Sequence, residues 1–239
     1  MTTFVLKIIA VATMLIDHIG AVFPDAAPEI FRSVGRVAFP IFAYMLAQGC
    51  RYTKNIYKYM LRLGIFALVS EIPFDLALKR HHVSSSGGML GIGVNFLSDT
   101  NIFYTLFLAA ACIAIYDKLK DRNRFLSILA VLPPILIAEV LGSDYGAFGV
   151  AWIFFIYMAD TEKKAMSAIA LTAGIMSLYG FSAYAGGCVL NLGKPWYLYF
   201  ALISVPLILL HNGKQGPKFK WAFYIFYPLH LAILALLVI

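Results

Sequence analysis

Residues 4–23 read FVLKIIAVATMLIDHIGAVF, twenty positions of which all but Lys7, Thr13, Asp17, His18 and Gly20 are apolar. At 1.5 Å per residue, such a run covers a hydrocarbon core of about 30 Å. Lipid offers the backbone no partner, so a run of this kind is a helix. Its polar insertions interrupt the apolar core and no basic segment precedes it, so it is expected to stay in the mature protein instead of being cleaved as a signal peptide.

Working outward, runs of 15 to 22 mostly apolar residues recur at roughly 34–50, 60–78, 102–116, 126–141, 147–160, 165–181, 196–210 and 222–238. Apolar residues make up 62% of the 239 and charged ones 13%, too little polar surface to coat a water-facing globule. The expected fold is an all-α polytopic membrane protein, a bundle of about nine transmembrane helices forming one domain over 1–239. The alternating pattern of a β-barrel is absent, as are a soluble domain and an internal repeat.

Net charge is +7, and the location of the charges explains it. Thirteen of the seventeen loop Lys and Arg fall in every second loop: Arg51 to Arg62, Lys118 to Arg124, Lys163–Lys164 and Lys214 to Lys220. That asymmetry marks the cytoplasmic side, which puts the N-terminus in the cytoplasm and removes the need for a nucleic-acid partner. Cys50, Cys112 and Cys188 lie in or beside apolar runs without metal or redox spacing and read as packing residues. Pro133-Pro134 should bend or break the fifth span. The loop 79–101 is either a lid or a re-entrant segment. Its His81-His82 lacks a nearby third ligand, so no metal site is expected.

Lys7, Asp17, His18, Arg36, Glu71, Asp75, Glu139 and His230 fall within or at the edges of the spans, where a charge costs about 2.5 kcal/mol or more. They must face each other or water. Lys7 and His18 are eleven residues apart, which returns to within roughly 20° on a helix and some 16 Å further along it. One face therefore offers a cation near the cytoplasm and a titratable imidazole near the far side, suited to an elongated anionic ligand. Asp17 points about 100° away and is placed to pair with another helix, Arg36 being a candidate. Glu71 and Asp75 share a face four residues apart, an arrangement that calls for a cation between them.

The chain resembles the TraX family of integral membrane proteins, implicated in N-terminal acetylation of conjugative pilin. The resemblance runs the whole length. It rests on Leu6-Lys7-Ile8-Ile9-Ala10, Leu15-Ile16-Asp17-His18-Ile19-Gly20, Gly35-Arg36-Val37-Ala38-Phe39-Pro40 and Ser70-Glu71-Ile72-Pro73-Phe74-Asp75. It continues through Asn101-Ile102-Phe103-Tyr104, Asp144-Tyr145-Gly146, Asn212-Gly213-Lys214 and Phe226-Tyr227-Pro228-Leu229-His230. That family is similar to the transmembrane acyltransferases, whose first helix carries an arginine, ten residues and a histidine. Lys7 and His18 match the spacing, with a point charge in place of a bidentate guanidinium.

The resemblance implies an enzyme of the bacterial cytoplasmic membrane that moves an acetyl group from cytosolic acetyl-CoA to an amine or hydroxyl of an extracytoplasmic peptide or glycan. His18, with Asp17 beside it, would be the catalytic set, as base or transient acyl carrier. Lys7, Arg36, Asn212 and Lys214 would hold the donor, with Arg36 serving either a pyrophosphate or an oxyanion. Glu71, Asp75, Asp144, Tyr145 and His230 would orient the acceptor, His230 doubling as a second candidate base. A proton-coupled transporter using Asp17, His18, Glu71 and Asp75 as a relay is the alternative.

Overall fold

The computed structural model describes residues 1–79, 96–159, 161, 164, 169, 181–184, 187–190, 200–217 and 219–238. Helices carry it. Helix α1 (Thr3–Val22) begins at Thr2, whose hydroxyl accepts the Val5 amide, and ends at Phe23 ahead of Pro24. Leu6, Ala10, Met14 and His18 form its buried stripe. A short α2 (Ile30–Gly35) and α3 (Ala38–Tyr52) follow, with Arg36 at their junction. Asn55 caps α4 (Ile56–Leu78) and Asn101 caps α5 (Ile102–Leu119), each by its side-chain oxygen.

The expected break at Pro133-Pro134 is found: α6 (Arg124–Leu129) stops and α7 (Leu132–Val140) restarts with the prolines in its first turn, where no amide is needed. Then come α8 (Gly146–Met158), α9 (Ser204–Leu209) and α10 (Lys220–Val238), which contains Pro228. The one described sheet is an antiparallel hairpin, β1 (Phe181–Tyr184) with β2 (Gly187–Leu190). Its first strand begins where the expected span 165–181 ends. The rest of that span lies outside the described residues, apart from position 169, as do Arg80 to Asn95, with His81-His82 among them.

Among the described residues, three helical stretches are long and apolar enough to cross a membrane, Thr3–Val22, Ile30–Tyr52 and Ile102–Leu119. Three shorter apolar ones are Gly146–Met158, Phe200–Leu209 and Trp221–Leu237. Helix α4 is 23 residues long and carries Lys58, Arg62, Glu71 and Asp75. Large apolar side chains nevertheless line its outside, with Leu61, Ile65, Leu68 and Ile72 exposed along one face. Leu229, Ile233 and Leu236 do the same on α10. Stripes of this kind are compatible with an apolar surrounding such as lipid.

Chain direction alternates so that the basic loops meet at one end. Arg51 at the end of α3 donates to the backbone carbonyls of Tyr157 and Ala159 after α8. The Tyr157 hydroxyl in turn donates to Asp117 at the end of α5, at 2.5 Å. The loop holding Asn212 and Lys214 pairs with the start of α1, through Thr3 N–H to Lys214 O at 2.9 Å and Asn212 N–H to Met1 O at 2.9 Å. The opposite end collects the buried acids and the histidine pair.

Candidate functional site

Helices α1 and α10 lie side by side and run the same way. Phe4 packs on Phe219 and Phe223, the Lys7 ammonium sits 5.2 Å from the Phe223 ring centre, and His18 meets Tyr227 and His230. Lys7 and His18 thus face the same helix, as their spacing predicts, from opposite ends of the bundle.

His18 Nδ1 lies 2.6 Å from His230 Nε2, with the rings within 2° of parallel. His230 Nδ1 lies 2.8 Å from the Phe226 carbonyl. A carbonyl only accepts, so His230 Nδ1 carries the hydrogen. In the neutral ring its Nε2 is then an acceptor, and His18 Nδ1–H donates to it. This chain of donors leaves His18 Nε2 as a lone pair. His18 lines a small open cleft of about 40 Å³, and His230 stands behind it. The arrangement gives His18 the chemistry of a general base whose orientation is set by a second residue.

The cleft's other polar groups are Asp17, Asp144, Tyr145 and Tyr227, set among Met14, Phe39 and Phe42. Asp17 is held by two arginines. Arg36 Nη2 reaches its two oxygens at 3.0 and 3.3 Å, and Arg32 Nη1 lies at 2.9 Å. Arg36 also donates from Nε to the Arg32 carbonyl at 3.1 Å and from Nη1 to the Tyr145 hydroxyl at 3.4 Å. Gly35 makes the approach possible, because a Cβ there would overlap the Asp17 carboxyl. The Asp17–Arg36 pair anticipated from sequence is therefore present. Arg36 lies at the opposite end from Lys7, Asn212 and Lys214, so the four expected donor-binding residues fall into two places.

Asp144 and Tyr145 are brought to the cleft by a tight turn. The Asp144 amide donates to Thr100 O at 2.9 Å, and Thr105 Oγ1 donates to the Asp144 carbonyl. Tyr145 adopts φ 66°, an uncommon left-handed conformation for a side-chain-bearing residue, and its ring stacks on Phe39 with centres 3.8 Å apart. Burial pushes the Asp144 carboxyl up to about 6, moderated by the Arg36 guanidinium and reinforced by the Asp17 charge. Burial also raises the Tyr145 phenol, so it stays protonated. Glu139 accepts the Ala147 amide at 3.0 Å and so caps the start of α8.

Glu71 and Asp75 form a separate cluster, fully buried on α4. The cation between them is Lys79, with Nζ 2.6 Å from Asp75 Oδ1 and 3.6 Å from Glu71 Oε1. Asn101 donates to Glu71 Oε2 from its backbone at 3.1 Å and its side chain at 2.6 Å. Lys79 is thus the cation that their shared face calls for.

Sequence reasoning passed over Lys79, Arg32, Tyr227 and His211. His211 Nε2 lies 3.0 Å from Thr3 Oγ1 and its Nδ1 3.5 Å from the Tyr44 hydroxyl, at the basic end. Lys79 and Arg32 were available as loop charges one and two positions from a span edge. Among the described residues, no group of three or more His, Cys, Asp or Glu is placed to hold a metal ion.

Comparison with known proteins follows this geometry. The chain is 28% identical over 243 residues to a probable fimbrial assembly protein FimC, serogroup H1, of Dichelobacter nodosus, covering 98% of this chain and 94% of that protein. It is 22% identical over 240 residues to protein TraX of Escherichia coli, covering 98% and 86% respectively. No solved structure matches. The TraX protein family model matches residues 3–238, and the chain belongs to that family.

Proposed function

We propose that this protein is a multi-pass acyltransferase of the bacterial cytoplasmic membrane, with its N-terminus in the cytoplasm and its remaining apolar runs completing a bundle of about nine spans. It takes an acetyl group from cytosolic acetyl-CoA and delivers it to an amine or hydroxyl of an extracytoplasmic peptide or glycan. The name of one relative, a probable fimbrial assembly protein, favours a fimbrial subunit as that acceptor.

One observation carries the reading: His18 is buried, its Nδ1–H is engaged by His230, and its Nε2 is left as a base beside the cleft. Acid–base help of this type supplies about 10²- to 10⁴-fold. The polyanionic nucleotide belongs with Lys7, Lys214 and Asn212 at the basic end, some 16 Å from His18 along α1. Asp17 and Arg36 fix the wall of the cleft, and Asp144, with Tyr145, receives the acceptor. Glu71 and Asp75, with Lys79, fix the junction of α4 and α5.

The test is thermal unfolding of detergent-purified protein with acetyl-CoA. A ligand bound only to the folded state raises stability by about 2.7 kcal/mol at a hundred times its dissociation constant. The expected result is stabilisation that Lys7→Ala weakens and His18→Ala keeps, with acetyl transfer lost in His18→Ala. Folded protein with no response to acetyl-CoA would sink the proposal. The buried Glu71–Asp75–Lys79 cluster favours a second reading, a proton-coupled transporter. Solute uptake into proteoliposomes distinguishes it, since a transferase moves no free solute.

A further inference from the structure

Tyr227 occupies α10 just before Pro228 and His230, and it contributes to the cleft. Its ring meets His18 edge-on at 5.9 Å and His230 at 5.6 Å, and it is 3% exposed. Among the described residues its hydroxyl has no hydrogen-bond partner. The Ile102 amide faces it from the start of α5, outside hydrogen-bonding geometry, and is itself a donor. Among the described residues the phenol proton therefore has no acceptor. Buried hydroxyls are satisfied as a rule, so an unanswered one on a side chain that lines the cleft beside His18 calls for a ligand oxygen.

Acyl transfer requires such a donor. When the acceptor attacks a thioester, the carbonyl oxygen becomes an oxyanion, and a donor already in place at that oxygen accelerates the step. Arg36 does not supply it from its observed position, since Nε, Nη1 and Nη2 are directed to the Arg32 carbonyl, Tyr145 and Asp17. We propose that Tyr227 is a catalytic residue whose O–H donates to the carbonyl oxygen of the acyl group during transfer. The proposal rests on the acyltransferase reading and adds a second reacting group to it.

The step balances as follows. The acceptor N–H or O–H is deprotonated by His18 Nε2 as its heavy atom bonds to the thioester carbon. The C=O pair moves onto oxygen and is held by Tyr227 O–H. The oxyanion collapses, C=O re-forms, the C–S bond breaks, and the departing thiolate takes the proton from His18. The products are the acylated acceptor and the free thiol, and Tyr227 keeps its proton throughout.

Tyr227→Phe removes only the hydroxyl, and it separates a catalytic role from a structural one. A hydroxyl bonded to no other part of the fold, as is that of Tyr227 among the described residues, leaves the melting temperature unchanged or raised when deleted. Purified wild type, Tyr227→Phe and His18→Ala are compared for melting temperature and for acetyl transfer from acetyl-CoA to a peptide amine. The expected result is an unchanged or higher melting temperature for Tyr227→Phe, with kcat lower by about 10²- to 10³-fold and an unaltered KM for acetyl-CoA. Wild-type kcat in Tyr227→Phe, with His18→Ala inactive, would overturn the role of Tyr227 and leave the acyltransferase standing. A melting temperature lowered by several degrees would show the hydroxyl bonded within the fold and would also overturn it. Folded wild type with no transfer would remove the acyltransferase reading, and the role of Tyr227 with it.

Discussion

His18 and His230 join the first and last helices through an Nδ1 to Nε2 contact of 2.6 Å, and the Phe226 carbonyl behind them fixes which nitrogens carry hydrogen. On the acyltransferase reading His230 would act through His18, as a positioning residue. Replacing His230 by Leu releases the His18 tautomer and should lower kcat by about 10²-fold with little change in KM. His230→Gln keeps an acceptor at a similar reach and should restore much of the rate. Nitrogen-15 spectra of labelled histidine check the cause directly, since His18 should carry its hydrogen on Nδ1 in wild type and in His230→Gln but not in His230→Leu.

Asp17 is the anion between two guanidiniums. Asp17→Asn leaves both cations facing a neutral amide in a mostly buried place, and breaking such a pair destabilises by about 3 kcal/mol. Asp17→Asn combined with Arg36→Met should recover part of that loss. Chemical unfolding in detergent of the two singles and the double measures the coupling.

Gly35→Ala puts a methyl group where the Asp17 carboxyl lies. The carboxyl must move away from Arg36, and overpacking of this kind costs about 1–3 kcal/mol. Gly213→Ala, with nothing within 4 Å of the added atom, is strained only by its positive φ of 72° and should leave the cleft unaffected. Melting temperatures and acetyl transfer for the pair check the contrast.

Asp144 titrates at about 6 in the fold, against about 3.9 in an unfolded chain. Between those values the folded state holds the extra proton, so the contribution of this group to stability is fullest below about 4. It declines as pH rises through about 6 and is flat beyond. Asp144→Asn should remove that part of the pH dependence and make the protein comparatively more stable at pH 7. Thermal unfolding of both proteins from pH 4 to 8 decides it, and parallel profiles would reject the assignment.

The Glu71–Asp75–Lys79 cluster sets two carboxylates against one ammonium. Removing a negative charge is therefore milder than removing the positive one. Asp75→Asn should cost little, whereas Lys79→Met should destabilise by about 3 kcal/mol or more. Equal losses, measured by unfolding in detergent, would contradict the pairing.

Helix positions were legible because apolar runs, Asn caps and the Pro133-Pro134 pair each act locally on the backbone. The Asp17–Arg36 pair was legible because two opposite charges in neighbouring apolar runs have few other choices. The partner of His18 was not, since 212 residues separate the rings and no spacing rule spans that gap. Lys79 was hidden by position, as it follows α4 and reads as a loop charge until the chain folds it back over Asp75. Tyr227 was hidden by chemistry, since one tyrosine in an aromatic-rich helix looks like packing until its hydroxyl is seen without an acceptor.

The parallel seam of α1 against α10 joins side chains 212 residues apart, so neither helix alone can make the His18–His230 contact. Closing a loop of that length costs entropy before the contact repays any of it, which makes the histidine pair a product of completed tertiary folding and not of local structure.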